Sequence, residues 1–204
     1  MDIKNSFEVP LPVDQTWKTL LDIRKIAPCM PGAELLEVVD DKTYKGKVAV
    51  RLGPVALSFV GTARFEEIDE AAHRARVKGQ GADAKGRGGA SGTVTFALSP
   101  IEGGTRVDVD TNLNLTGSVA QYGRGTGMIQ DVASQIIGQF AEALRAMLRH
   151  DEAVKAAQAA PAAAPGAPAP ELPPPPAPPK PISGFSLMAR VVWNALRRLF
   201  GAQT

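Results

Sequence analysis

Hydrophobic and polar residues alternate along most of the chain up to Leu115, and the longest departure from that period begins near Met128. From Val55 to Phe65 the odd positions are Val55, Leu57, Phe59, Gly61, Ala63 and Phe65. From Thr105 to Leu115, Val107, Val109, Leu113 and Leu115 alternate with Arg106, Asp108, Asp110, Asn112 and Asn114. A period of two gives a strand with one dry and one wet face, as in an antiparallel sheet covered on one side. The same pattern predicts strands at Asp2–Val9, Ala33–Val39, Tyr44–Leu52, Arg74 to about Ala84, and Thr93–Ser99. Turn residues separate them: Pro10 and Pro12, Pro31-Gly32, Gly53-Pro54 and Gly103-Gly104. Between the first two strands, Val13–Leu21 reads as a short helix with Trp17, Leu20 and Leu21 on one face. Ile23–Gly32 reads as a second short helix, ended by Pro28.

From Met128 to Leu148 the spacing becomes helical. Ile129, Val132, Ala133, Ile136, Phe140, Ala143, Leu144 and Met147 recur at steps of three and four and form one wide apolar stripe. The predicted order is therefore strand, two short helices, six strands, long helix. The architecture expected is α+β: a curved antiparallel sheet of about seven strands closing around a long C-terminal helix. A hollow between the two is the natural place for a ligand.

Composition changes after His150. Residues 153–181 are nearly all Ala and Pro, with 11 prolines from Pro161 to Pro181. Such a tract builds no core and favours extended polyproline II, so it reads as a semi-rigid tether. Beyond it, Ser183–Phe200 has helical amphipathicity. Phe185, Met188, Val192, Leu196, Leu199 and Phe200 share one side, Trp193 sits at its edge, and Arg190, Arg197 and Arg198 lie opposite. A basic strip against an apolar side, with no acidic residue, fits a helix lying on an anionic membrane surface. Docking on a partner, or back onto its own domain, is the alternative. The expected organisation is a domain at 1–150, a linker at 151–181 and an amphipathic tail helix at 182–204.

Charge and cysteine content narrow the function. A net charge of +2 gives no global field to recruit nucleic acid. The single Cys29 gives no internal disulfide and no metal cluster, which suits a reducing compartment. No apolar run approaches the length that spans a bilayer, and no secretory h-region follows Met1. Catalytic equipment is sparse. His73 and His150 are the only histidines and show no obvious partner in the sequence. Cys29 lacks a neighbouring base. Asp108 and Asp110 belong to a wet strand face, and metal-ligand spacing is absent.

Two glycine clusters stand apart. GQGADAKGRGGASG, Gly79 to Gly92, has no Gly-Lys-Ser/Thr and lies between strands, so it is no phosphate loop. Gly79 and Gly81 fall on the inward face, where glycine leaves space for a helix or ligand, or marks a bulge. GSVAQYGRGTG, Gly117 to Gly127, joins the last strand to the long helix and could form a mouth, with Tyr122 and Arg124 within reach of a ligand.

This order of elements resembles the helix-grip fold of the START/Bet v 1-like superfamily (SRPBCC). More narrowly, four stretches resemble the carbon monoxide dehydrogenase G-subunit family. They are PCMPGA (Pro28–Ala33), KGKVAVRLGPVALSFVGTARF (Lys45–Phe65), the Gly79–Gly92 cluster and LTGSVAQYGRGTGMIQDVASQIIGQFAEAL (Leu115–Leu144), and the likeness covers roughly residues 1–150. The resemblance implies an accessory protein, not an enzyme. Its partner would be a molybdenum-containing dehydrogenase, placed at the cytoplasmic face of the inner membrane and linked to the quinone pool. Combined with an apolar hollow, this gives a quinone carrier (menaquinone or ubiquinone) held peripherally on anionic lipids. Its lining is expected at Met30, Leu57, Phe59, Phe65, Tyr122, Met128, Ile129, Val132, Ile136 and Phe140. Plain core packing is the competing reading for each. A recruitment scaffold with no ligand is the alternative function. A small cyclase or hydrolase on the same fold is the third, disfavoured because no inward acid–base pair is visible. No residue is assigned a catalytic or metal-binding role.

Overall fold

The alternating segments pair into one seven-stranded antiparallel sheet, ordered β1-β7-β6-β5-β4-β3-β2. The strands are β1 (Asp2–Val9), β2 (Ala33–Val38), β3 (Thr43–Leu52), β4 (Val55–Asp69), β5 (Arg74–Asp83), β6 (Gly88–Ile101) and β7 (Gly104–Gly117). Helices α1 (Val13–Leu21) and α2 (Ile23–Ile26) and a 3-10 turn, Ala27–Cys29, connect β1 to β2. A 3-10 segment, Ser118–Arg124, leads from β7 to the long helix α3 (Thr126–Ala159). The computed structural model describes residues 1–52, 55–124 and 126–159. The Gly53-Pro54 corner, most of the expected linker and the tail residues Phe185, Met188, Arg190, Val192, Trp193, Leu196, Arg197, Arg198, Leu199 and Phe200 lie outside those residues.

Each boundary has a local cause. Asp14 sits in the first turn of α1, where an acid favours the helix dipole, and Thr16, Trp17 and Leu20 are its buried face. The Asp22 carboxylate then accepts from the backbone N–H of Lys25 and starts α2. Pro28 stands inside the 3-10 turn rather than after a full helix. In β4 the register with β5 slips between Phe65 and Glu67. That bulge explains why the odd-numbered alternation ends at Phe65. The helix α3 runs past the boundary expected at His150, because Asp151–Ala159 holds only residues that tolerate a helix.

The dry core forms two clusters. The larger gathers Phe7, Trp17, Phe65, Val107, Phe140, Leu144 and Leu148 beneath α1 and the C-terminal half of α3. Phe7 and Phe140 meet edge to face, with ring centroids 5.6 Å apart. The smaller gathers Ile3, Leu52, Leu57, Val119 and Ile129 at the N-terminal end of α3. Helix α3 lies chiefly along β1. Two polar contacts fasten it there: Arg145 donates to the Glu8 carbonyl at 3.0 Å and 2.6 Å, and the Ser134 hydroxyl donates to Asn5 Oδ1 at 3.0 Å. The buried hydroxyls of Thr16 and Thr105 both donate to the Leu11 carbonyl, which pins the loop before α1.

Candidate functional site

Strand register brings small residues together between the two clusters. Ala63 pairs with Gly79 and Gly79 with Gly92; one step along the strands, Gly61 pairs with Gly81 and Gly81 with Ala90. Directly paired residues share a face. These six share theirs with the buried Phe65 and Ala75, so they face α3. On β3, Gly46 extends the second row. Across β4, β5 and β6 the inner surface thus carries nothing larger than a methyl group over two successive rows. Phe65, Val77 and Val94 form the next row toward the larger cluster, and Val48 and Phe59 border the opposite side.

None of the six belongs to either core cluster, and all are only partly buried. A side chain added at Gly79 would meet nothing within 4 Å. Gly61 differs, since a Cβ there would overlap the Gln80 carbonyl. Glycine at 61 therefore serves the close approach of β4 to β5, whereas glycine at 79 leaves open space. The space lies between sheet and helix, with Val132 and Ala133 packed against the smaller cluster and Ile137 against the larger. Ile136 is half-buried on α3 and belongs to neither.

The expected lining residues therefore divide. Phe65 and Phe140 are buried in the larger cluster, with Met30 packed against it. Leu57 and Ile129 are buried in the smaller, with Phe59 and Val132 against it. Ile136 belongs to neither. Met128 is 46% exposed at the start of α3, because it lies about 100° around the helix from the inward Ile129. The side chain of Tyr122 lies outside the described residues. Val48 faces inward yet is 38% exposed, so the hollow is open beside β3.

One buried charged group went unseen in the sequence. Asp83, at the end of β5, is 4% exposed. Arg87 grips it at both oxygens, 2.8 Å and 2.9 Å, and the backbone N–H groups of Ser58 and Lys85 also donate to it. Arg87 further donates to the Ala56 carbonyl at 2.7 Å, while its own carbonyl accepts from the Ser118 hydroxyl. The Arg87 guanidinium holds the Asp83 carboxyl well below the usual carboxylate range. The pair staples β4, the β5–β6 turn and the 3-10 segment before α3 into one end wall. Its partners are far apart in sequence, and only the Lys85-Gly86-Arg87 turn itself was visible.

Other reactive groups are occupied. The Cys29 thiol is buried 3.8 Å from the Met147 sulfur, and burial pushes its pKa up, away from the thiolate. His73 does have a partner: its Nε2 lies 3.1 Å from Asp14 Oδ1, and its ring meets Trp17 edge to face at 5.6 Å. The Tyr44 hydroxyl donates to the Asp41 carbonyl, and desolvation raises its pKa. Among the described residues no group of acids, histidines and cysteine is placed to hold a metal. No helix among them is long and apolar enough to cross a membrane. A shallow depression of about 450 Å³ is lined by Val60, Thr62, Gln80, Ala82 and Ser91, which alternate with the floor residues along their strands, and also by Gly61, Gly81 and Ala90 of the floor itself.

A curved antiparallel sheet gripping one long helix over a partly open inner face defines a helix-grip protein of the START/Bet v 1-like class. Within it, the chain belongs to the carbon monoxide dehydrogenase G-subunit (CoxG) family, whose sequence profile matches residues 6–149. Among solved structures, a conserved protein from Geobacillus kaustophilus is similar with a TM-score of 0.62 and 20% identity, over 71% of this chain and 93% of its own. The Zhui aromatase/cyclase from Streptomyces sp. R1128 is similar with a TM-score of 0.53 and 12% identity, over 74% and 95%. At these identities the likeness speaks for the fold alone. Comparison with curated proteins gives no match.

Proposed function

We propose that this protein is a non-catalytic accessory of a molybdenum-containing dehydrogenase of the carbon monoxide dehydrogenase type. In this reading the domain binds a respiratory quinone in the hollow under α3. The amphipathic tail holds it on anionic lipid at the cytoplasmic face of the inner membrane. The bound quinone is presented there to the docked dehydrogenase as its electron acceptor. The observation that carries the reading is the floor of Ala63, Gly79, Gly92, Gly61, Gly81 and Ala90, which bears nothing larger than a methyl group and has open space before Gly79. Family membership supports the partner, since the family is named for its dehydrogenase. A holding role also suits the polar groups nearby, because Asp83 is engaged by Arg87 and the Cys29 thiol is kept protonated by burial.

The test is native mass spectrometry of the full-length chain purified from its own host, followed by solvent extraction and lipid identification. A co-purifying quinone is the expected result, and its mass says which one. A folded chain that arrives empty and refuses added quinone removes the carrier reading and leaves recruitment without a ligand.

A further inference from the structure

The hollow's floor has dimensions that select a shape. Strands lie ~4.8 Å apart, so β4 to β6 spans roughly 10 Å; successive same-face positions along a strand are ~6.7 Å apart. The clearing of six small residues is thus a broad, short rectangle rather than a tunnel. An extended hydrocarbon chain is a single file of carbon atoms, narrower than a clearing that spans two strand spacings (~10 Å). The floor is peptide and methyl, and its N–H and C=O groups are taken up by the strand ladder, so it offers dispersion contacts and makes no polar demand. Walls stand on both sides along the strands: Phe65, Val77 and Val94 on one, Phe59 and Val48 on the other.

The geometry points to Gly79 as the residue that sets ligand specificity: the clearing centred on it receives a flat conjugated ring lying face-down on β4, β5 and β6. This rests on the carrier reading and adds to it which part of the quinone the floor recognises. Gly79 is central because it has Ala63 and Gly92 on either side and Gly81 beside it on the same face, and because space above it is open. Its backbone does not require glycine, unlike that of Gly32, Gly86, Gly88, Gly103 and Gly117, which have positive φ. A side chain at 79 therefore occupies the ring's place without breaking the sheet.

The experiment compares the full-length wild type with Gly79→Ala, Gly79→Val and Gly79→Phe. The probes are menadione, a ring with no isoprenoid chain, and farnesol, an isoprenoid chain with no ring. Circular dichroism melting verifies that each variant is folded, and Gly79→Val serves if Gly79→Phe is not. The expected result is a menadione Kd that rises with side-chain size, at least tenfold for the largest folded variant, with farnesol binding changed less than threefold. Equal menadione binding by wild type and variants overturns the inference and leaves the carrier reading standing. Equal loss of both probes overturns it too, because the site would then be selecting for bulk and not for a ring. A wild type that binds neither probe nor any native quinone overturns both.

Discussion

The Asp83 carboxylate is ionised inside a wall of the hollow, held by Arg87 and by backbone N–H groups of Ser58 and Lys85. Its pKa in the folded chain lies below the unfolded value of about 3.9. A carboxyl depressed in this way contributes stability that is complete above the unfolded pKa and disappears as pH falls through the folded one. Asp83→Asn is therefore less stable than wild type at neutral pH, and the gap narrows as pH drops below about 4. Thermal melts of the two proteins from pH 7 to pH 2 test this. A constant gap over that range would mean that the pair acts by shape and not by charge. Glycines divide in the same residue-by-residue way. Gly61→Ala forces a methyl into the Gln80 carbonyl and is expected to cost about 1–3 kcal/mol, by analogy with overpacking. Gly79→Ala, with open space before it, is expected to change stability by less than about 1 kcal/mol. Parallel urea titrations measure both, and equal losses would place Gly79 in packed surroundings.

At the scale of elements, α3 is held by burial more than by its surface. Leu144 is fully buried, and Leu144→Ala is expected to cost about 2–5 kcal/mol, read as a lower urea midpoint at unchanged slope. A loss under about 1 kcal/mol would mean the helix is not seated as described. The helix was legible from its stripe, as were the order of elements and the inward phase of β3 through β7, because a half-buried strand writes its period directly into the sequence. Boundaries were less legible. β6 begins at Gly88 rather than Thr93, since Gly88–Gly92 carries no large side chains to alternate. α3 outlasts its apolar stripe because Asp151–Ala159 continues on propensity, with Lys25 reaching Asp151 at 2.7 Å. The hollow was only half legible. Inward Gly79 and Gly81 could be read from one strand, but their alignment with Gly61, Ala63, Ala90 and Gly92 needs the register between strands. The Asp83–Arg87 wall was invisible for the same reason, with contacts at Ala56, Ser58 and Ser118 supplied by other elements.

At the scale of the whole molecule, two parts of the chain serve one apolar cargo in the proposed function, and they separate cleanly by experiment. The hollow lies wholly within the matched region, whereas the basic amphipathic segment begins beyond an Ala/Pro tract. Each arginine near an anionic surface adds on the order of 1 kcal/mol, so Arg190, Arg197 and Arg198 together amount to roughly a hundredfold in affinity on top of the buried apolar side. Deleting residues 182–204 is therefore expected to move the protein from floating with anionic vesicles to remaining in the soluble fraction. Quinone bound in the hollow should stay with it. Neutral vesicles, or raised salt, should reproduce much of the loss in the full chain, because surface attraction is screened within a Debye length of about 10 Å at 0.1 M. Equal flotation of full-length and truncated chains would shift membrane contact to the domain itself, where inward-facing Val48 and the exposed Met128 are the apolar residues to substitute next. Loss of quinone along with the tail would mean instead that the cargo is held between the two parts, and that the floor around Gly79 binds only one end of it.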